Sequence, residues 1–312
     1  MDSVRAHWKV VSETAFAETL EAELCRLVFG SNFIERAGSN YKETRFLCQK
    51  IFRGEDFTKT EPGVNSSDYE EGLLVMLSKL QTTETIGTSD QLVTIKGRIE
   101  VIQHAKALKF FLERFCLENS ELTEELILAT HRILCEGHDH DDGTSWELWA
   151  GTYRDCEIAA SSLDKETGKR KKSIFIRATS VPAYMRQTIH DFNSWIIKEG
   201  KNTDPFELAS WLCTQFVNIH PFADGNGRMC RILLNGVLYK YTGLIACIGE
   251  NGEEGRDEYL EIAVRSNKKY HEEDYEVSVG NQISHLGLTE LVVRKVAECG
   301  ERMLQTLRAK KN

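Results

Sequence analysis

The side chains best suited to chemistry on a phosphate group lie in residues 219–235, which have the sequence IHPFADGNGRMCRILLN. A buried helix is predicted to end at Ile219, and a new helix to begin around Asn226. Between the two helices, Gly225 and Gly227 allow the main chain to turn its N–H groups toward one point. The segment therefore predicts an anion-binding nest at the N-terminus of the second helix.

Four side chains in this segment complement the nest. Arg228 and Arg231 lie three residues apart, so both guanidinium groups share one face of the second helix, and their planar forks suit phosphate. Asp224 offers a hard oxygen ligand that Mg²⁺ accepts when phosphates complete its shell. His220, with an unperturbed pKa near about 6.5, suits proton acceptance at neutral pH. A lone histidine is more often a helix cap or core group, and a lone DGNG a turn, but their conjunction predicts a phosphate-transfer site.

Helical spacing dominates the rest of the chain. Helices are predicted over residues 12–28, 97–118, 121–136, 182–199, 205–219, 228–241 and 254–267. Residues 155–180 alternate instead, with EIAA and SIFIRAT on either side of DKETGKRKK, which predicts a β-hairpin. Residues 52–67 and 81–92 are polar and rich in Gly, Ser and Thr, which predicts loops and a boundary near residue 90. The expected fold is mainly α with one inserted hairpin.

Composition bounds the class of protein. The 312 residues carry 39 Lys and Arg against 48 Asp and Glu, and the net charge of −9 argues against non-specific nucleic-acid binding. The nine cysteines are an odd number without a C-x-x-C pair, which indicates reduced thiols in an intracellular protein. No apolar stretch suits a signal peptide or a membrane span. We expect a cytoplasmic or nuclear protein with no nucleic-acid or membrane partner.

Three other groups of residues favour a structural interpretation. HDHDD at 138–142 falls in a predicted loop and lacks helical phasing of metal ligands, so we expect a solvated loop. KETGKRKK at 165–172 is predicted to be a solvated hairpin tip, with steering of an acidic target as the alternative. The predicted core includes Trp195, Ile196, Ile197, Trp211 and Leu212.

The segment HPFADGNGR-MC-R resembles the signature of the Fic (Fido) family, H-x-F-x-[D/E]-G-N-G-R-x-x-R, with every defining position filled. The similarity extends through EVIQHAKAL, LILATHRILCEG, GTYR and RDEYLEIAVRSN. It implies a mainly α Fic fold, a helical bundle with a β-hairpin flap at 155–180 beside the active-site loop. The implied domains are an N-terminal helical region at 1–94, the Fic core at 95–270 and a C-terminal helical extension at 271–312.

The resemblance also implies an activity, the Mg²⁺-dependent transfer of AMP from ATP to a Ser, Thr or Tyr hydroxyl of a target protein. By that similarity His220 is the general base, Asp224 holds Mg²⁺ across the α- and β-phosphates, and Phe222 pins the loop into the core. The implied nucleotide- and phosphate-binding residues are Gly225, Asn226, Gly227, Arg228, Arg231, Tyr259 and Asn267. A target would dock at the 155–180 flap by adding extended backbone to the hairpin. The resemblance also implies self-modification and is compatible with an oligomer.

A second resemblance lies near the N-terminus. SNFIE at 31–35 is similar to the family's inhibitory pattern [S/T]-x-x-x-E-[G/N], whose glutamate pairs with the second arginine of the signature. In this sequence Arg36 takes the place of the final Gly or Asn. We expect Glu35 to inhibit the enzyme, and the alternative is a helical glutamate on a solvated face.

Three rival functions stay open. The same site could remove AMP from a modified protein, with Glu35 aligning a water molecule. It could transfer another group, such as UMP or phosphate, although the family's phosphate-transferring members replace the second signature glycine, here Gly227. The chain could also be a nucleotide-binding protein without turnover, which the intact His220, Asp224, Arg228 and Arg231 disfavour.

Overall fold

The computed structural model describes residues 13–55, 88–140, 143–163, 170–273, 277–278 and 281–311. The helices are α1 (Glu13–Ile34), α2 (Tyr41–Phe52), α3 (Thr88–Leu112), α4 (Glu124–Cys135), α5 (Trp146–Trp149), α6 (Val181–Glu199), α7 (Pro205–Ile219), α8 (Asn226–Thr242), α9 (Glu253–Glu273) and α10 (Leu286–Lys311). Strands β1 (Ala159–Leu163) and β2 (Arg170–Ile174) form one antiparallel hairpin. The predicted mainly α class with one inserted hairpin is confirmed.

Helices α7 and α8 form the centre of the bundle. Both are buried over most of their length, and α7 contacts α6, α9 and α10 while α8 contacts α1, α3 and α4. A helix surrounded in this way is apolar nearly all round, which matches the text of 205–219. Asp204 caps the first turn of α7 by accepting the N–H groups of Phe206 and Glu207. The loop between α7 and α8 is therefore held at both ends by the most buried helices.

Helix α1 is an integral part of the bundle and ends beside that loop. It continues to Ile34 rather than ending at Val28, and it packs on α2, α3 and α10. At Gly30 a side chain would collide with the main chain, since a Cβ would lie 2.5 Å from the Ile248 carbonyl oxygen. The buried Glu23 pairs with Arg302 of α10 at 2.6 Å.

Two local predictions are wrong. Residues 88–92 belong to α3 rather than to a loop, because the Ser, Thr and Asp residues that suggested a loop also favour helix N-termini; residues 56–87 lie outside the described part of the chain. Ile197 is 78% exposed and does not join the core. Successive side chains on a helix point about 100° apart, so Trp195, Ile196 and Ile197 cannot share one face.

The hairpin is shifted toward its tip relative to the prediction. Ala159 pairs with Ile174 and Leu163 with Arg170, so residues 170–172 belong to β2 rather than to the turn. Residues 175–177 leave the strand, and Ile176 is buried against the bundle. The apolar SIFI text that suggested a longer strand is explained by this contact with the core. Among the described residues, no helix is long and apolar enough to cross a membrane.

Candidate active site

His220 is the first residue after α7, and its conformation turns the chain into the loop. Its φ of 53° and ψ of 60° are left-handed, and its N–H donates to the Phe216 carbonyl at 3.0 Å. The ring donates its Nδ1–H to the Val217 carbonyl at 3.1 Å, which leaves Nε2 as the nitrogen that can accept a proton. Burial lowers the pKa of His220 to about 4, although the Val217 carbonyl acts in the opposite direction. The imidazole is therefore neutral, in its base form, at neutral pH.

The loop between α7 and α8 is held by side chains that bind its main chain. Asn226 accepts the Phe222 N–H at 2.9 Å and donates to the Phe222 carbonyl at 2.8 Å. The buried Phe222 ring stacks on His131 of α4 with centroids 3.6 Å apart. His131 accepts the Gly151 N–H at Nδ1 and donates Nε2–H to the Asp224 carbonyl at 3.0 Å. The Asn226 side chain thus faces the loop itself, which leaves its main chain for the predicted cradle.

The two signature glycines are needed for different reasons. Gly225 has a φ of +76°, a left-handed conformation that favours glycine. Gly227 is helical, but a Cβ there would lie 2.0 Å from Glu35 Oε1. The carboxylate of Glu35 therefore lies directly over the first turn of α8, where the unpaired N–H groups and the helix dipole favour negative charge.

The two arginines of α8 are buried with part of their hydrogen-bonding capacity unused. Arg231 donates to the Ser31 hydroxyl at 2.8 Å and to Glu35 Oε1 at 2.6 Å. Arg228 lies 3.5 Å from Asp224 Oδ2. Within the described residues, Nη1 of Arg231 and both Nε and Nη1 of Arg228 have no hydrogen-bond partner. Buried guanidinium N–H groups without an acceptor indicate a site that takes an anion.

Asp224 presents a charged oxygen at the surface of the loop. Its side chain is 62% exposed. Burial of the loop acts to raise the pKa of this carboxyl, but the Arg228 guanidinium and the Gly225 N–H hold it below its usual value. No group of three or more His, Cys, Asp or Glu side chains is placed to hold a metal ion among the residues described. A divalent cation at Asp224 would therefore take further ligands from a bound phosphate.

A cleft of about 390 Å³ brings the loop and the end of α1 together. One wall is formed by His220 and residues 223–228, and the other by residues 35–38 with Glu100 of α3. Both Glu35 and His220 line it. Neither Tyr259 nor Asn267 is among the residues that line this cleft.

Comparison with known proteins identifies the architecture. The model of the Fic/DOC family matches residues 121–238. A Fido domain-containing protein of Dictyostelium discoideum is 33% identical over 138 residues, which cover 44% of this chain and 81% of that relative. The chain belongs to the Fic (Fido) family.

Other Fic proteins are similar to this chain in sequence or in fold. Protein adenylyltransferase Fic of Nematostella vectensis is 28% identical over 142 residues, which cover 45% of this chain and 28% of the relative. The chain thus matches only about a quarter of that relative's length. A Fic domain containing signaling protein from Bacteroides thetaiotaomicron has the same fold, with a TM-score of 0.66 at 19% identity over 97% of this chain and 96% of that one.

The two less specific Fic positions, Tyr259 and Asn267, contact other parts of the bundle. Tyr259 is 5% exposed, and its ring centroid lies 5.3 Å from the Arg231 guanidinium carbon. Asn267 donates to the Ile174 carbonyl at 3.2 Å and to Asn218 Oδ1 at 2.8 Å, so it joins the flap to α7. Contact of these two residues with a nucleotide stays a prediction.

Two residues of this Fic site were given no role by the sequence analysis. Arg154 is buried and donates Nε–H to the His220 carbonyl at 2.7 Å. Phe175 lies flat on the His220 imidazole, with ring centroids 3.9 Å apart and planes 15° from parallel. The GTYR text singled out the position of Arg154, but nothing in the spacing of the flap indicated that Phe175 leaves the strand.

Proposed function

We propose that this Fic-family protein transfers AMP from ATP to a serine, threonine or tyrosine hydroxyl of a protein, with Mg²⁺ assisting. The observation that carries the proposal is the set of unpaired, buried N–H groups on Arg228 and Arg231 beside the cleft that His220 lines. Such groups need acceptors, and a polyphosphate supplies several charged acceptors at once. The relatives named protein adenylyltransferase support ATP as the donor.

His220 is the general base of the proposed reaction. Because its Nδ1–H is engaged by the Val217 carbonyl, Nε2 takes the proton from the attacking hydroxyl. The hydroxyl oxygen bonds to the α-phosphorus while the bond from that phosphorus to the pyrophosphate oxygen breaks, and pyrophosphate leaves. The two arginines and the N-terminus of α8 stabilise the negative charge of the phosphates.

Asp224 is the residue that would hold Mg²⁺. Its side chain reaches solvent at the surface of the loop. The surrounding protein acts to raise the pKa of the carboxyl, but Arg228 and the Gly225 N–H hold that pKa below its usual value, so a charged oxygen is available at neutral pH. A single carboxylate fits a cation whose other ligands are phosphate oxygens and water. When bound, the cation neutralises phosphate charge and orients the phosphates.

Glu35 restrains the proposed enzyme. Its Oε1 accepts from Arg231 at 2.6 Å and occupies the space over Gly227. While Glu35 is paired with Arg231, fewer N–H groups of Arg231 are available to bind phosphate oxygens. ATP then binds with its α-phosphorus misaligned for attack. Reverse hydrolysis of an AMP-modified protein would use the same residues.

The target protein would dock on the hairpin flap. Since the protein would also modify itself, self-labelling can be used to measure activity. The strand-like backbone of 159–163 and 170–174 supports docking by strand addition, which needs no particular target sequence. All nine cysteines are free thiols, which supports the proposed cytoplasmic location. We propose the 95–270 segment as the catalytic core, with 1–94 and 271–312 as flanking regions.

The decisive experiment incubates the purified protein with ATP, GTP, CTP and UTP, each labelled on the α-phosphate, and locates label on protein. It uses wild type and Glu35→Gly, each with and without His220→Ala. We expect label from ATP that requires Mg²⁺ and disappears with His220→Ala. A loss of about 10²- to 10⁴-fold is expected for removing a general base.

The matched control is His190→Ala, which removes an exposed histidine of α6 and is expected to label normally. Equal labelling by the His220→Ala variant would contradict the assigned base. Preference for UTP, or release of AMP from a pre-labelled protein without net transfer, would favour the rival functions.

A further inference from the structure

The flap contacts the candidate base through the side chain of Phe175. Phe175 follows β2 directly, and its ring lies parallel to the His220 imidazole at 3.9 Å. The stack covers one face of a ring whose Nδ1–H is already engaged by the Val217 carbonyl. One stacked face and one hydrogen bond together define the plane of the imidazole and its rotation in that plane.

The main chain on both sides of Phe175 is anchored to the bundle through the carbonyl groups of Ile174 and Ile176. The Ile174 carbonyl accepts from His271 Nε2 at 2.6 Å and from Asn267 Nδ2 at 3.2 Å, both on α9. The Ile176 carbonyl accepts from the guanidinium of the buried Arg154. The main chain on either side of Phe175 is thus anchored to the bundle, while the rest of the hairpin extends beyond it.

Arg154 joins the two sides of the stack. The same guanidinium donates Nε–H to the His220 carbonyl at 2.7 Å and also binds the Ile176 carbonyl. One buried side chain therefore sets the distance between the main chain of the base and the main chain that carries the stacking ring. This arrangement fixes Phe175 relative to His220 more tightly than the stack alone.

We propose that Phe175 is a positioning residue for His220, and that it holds the imidazole with Nε2 ready to accept the proton of the target hydroxyl. The role rests on the proposed function of His220 as the base. It also gives the flap a second task, because a target docked on the hairpin lies on the same segment that orients the base. The anchors on the Ile174 and Ile176 carbonyls hold the main chain on both sides of Phe175 to the bundle.

Phe175→Leu tests this role, because leucine keeps an apolar side chain without a flat ring, and Phe175→Tyr is the conservative variant that restores the stack. Both are made in the Glu35→Gly background, and self-labelling is measured as kcat and as KM for ATP. We expect Phe175→Leu to lower kcat by about tenfold or more with KM for ATP changed less than about twofold, as for a residue that orients the reacting group. Phe175→Tyr is expected to stay within about threefold of the parent.

A second readout does not depend on turnover. Nitrogen NMR of the His220 ring reports its tautomer and its titration, and the charged groups that act on this ring are Arg154, Glu35 and Asp224. In the Glu35→Gly parent we expect one tautomer, protonated on Nδ1, with a pKa that burial holds below the ordinary histidine value. In Phe175→Leu the ring gains access to water, so we expect its pKa to rise toward the ordinary value and the second tautomer to appear.

Ile174→Ala is the matched control for the NMR measurement, since it changes an exposed flap side chain and leaves the anchoring carbonyl in place. The His220 signals should not change in this variant. Unchanged His220 signals and an unchanged kcat in Phe175→Leu would overturn the proposal. If no variant labels at all, the proposed function fails, and the NMR result still decides whether Phe175 orients the ring.

Discussion

The loop after α7 and the turn after α1 meet in one cleft, yet they are held in place differently. The loop is held by buried side chains, since Asn226 binds both main-chain groups of Phe222 and His131 and Arg154 bind the carbonyl groups of Asp224 and His220. The turn that carries Glu35 is held by residues distant in sequence, including Glu100 and Arg256. Because Glu100 and Arg256 are only half-buried while the side chains that hold the loop are buried, we expect the turn to shift more readily than the loop.

Residues on one face of α3 make several of the contacts that fix the turn carrying Glu35. Glu100 accepts the Gly38 N–H at 2.6 Å, and His104 donates Nδ1–H to Asn32 Oδ1 at 2.8 Å. At Gly97 the two backbones touch, because a Cβ there would lie 2.2 Å from the Gly38 carbonyl oxygen. Positions 97, 100 and 104 lie on one side of a helix. We call this set the α3 face.

The largest expected effect comes from breaking the loop. Asn226→Ala leaves the buried N–H and carbonyl of Phe222 without partners, so we expect the free energy of unfolding to fall by about 2–4 kcal/mol. His220 and the nest should lose their mutual geometry, and labelling should fall by about a hundredfold or more. Denaturant unfolding and labelling in the Glu35→Gly background measure the two effects.

Asn235→Ala provides the control for that variant. Asn235 is also buried on α8 and also binds two main-chain groups, the Arg231 carbonyl and the Ala246 N–H, but it lies away from the loop. We expect a similar loss of stability with labelling retained. Equal loss of labelling in the two variants would mean that the loop has no special dependence on Asn226.

The next largest effect comes from deleting the side chain of the turn that reaches the site. Glu35→Gly frees Arg231 and the space over Gly227, so self-labelling should rise more than tenfold, equivalent to a barrier lowered by more than about 1.4 kcal/mol. Glu35→Gln keeps the size and removes the charge, and it should give an intermediate rate. Identical rates for wild type and Glu35→Gly would mean that the pair with Arg231 does not restrain the enzyme.

A smaller effect is expected from pushing the turn while leaving Glu35 in place. Gly97→Ala puts a methyl group against the Gly38 carbonyl, so the turn must move away from α3. Labelling should rise about three- to tenfold, less than in Glu35→Gly, because the glutamate still visits the site. Gly300→Ala in α10, where the nearest atom to a new Cβ is 3.9 Å away, tests the gain in helix propensity alone.

If Gly97→Ala and Gly300→Ala label alike, the backbone contact at Gly97 does not position Glu35. The same comparison made with His104→Ala would then show whether the hydrogen bond to Asn32 holds the turn instead. A rise in labelling with His104→Ala but not with Gly97→Ala would mean that the buried His104 imidazole, rather than the backbone contact at Gly97, holds the turn.

The sequence could predict features that depend on neighbouring residues, but not contacts between residues far apart in the chain. The helix over 205–219 and the loop after it depend on neighbours in sequence, on Asp204 as a cap and on two glycines, so their bounds and roles could be proposed from the text. The His104–Asn32 contact and the Phe175 stack join residues far apart, and nothing in local spacing indicates them. The length of α1 was underestimated for the same reason, since its last turns are stabilised by contacts with other elements.

Arg36 shows how a departure from a pattern can have a local physical meaning. The Arg36 N–H donates to the Phe33 carbonyl at 3.1 Å and the Ala37 N–H to the Asn32 carbonyl at 3.0 Å, which is the Schellman ending of a helix. In that ending the residue at the position of Arg36 is left-handed, and its φ is 58°. The left-handed backbone at this position therefore accounts for the Gly or Asn of the pattern.

The smallest effect is expected from Arg36→Gly. The arginine pairs with Glu253 of α9, with Nη2 2.8 Å from Oε2, and it does not draw Glu35 out of the cleft. Both partners are exposed, so the pair contributes little and is screened by salt, while glycine suits the left-handed position. Self-labelling should therefore stay within about twofold of wild type. Arg36→Asn, which also tolerates this conformation, should behave in the same way. A rise comparable with that of Glu35→Gly would mean that the pair with α9, and not the α3 face, keeps the glutamate over Gly227.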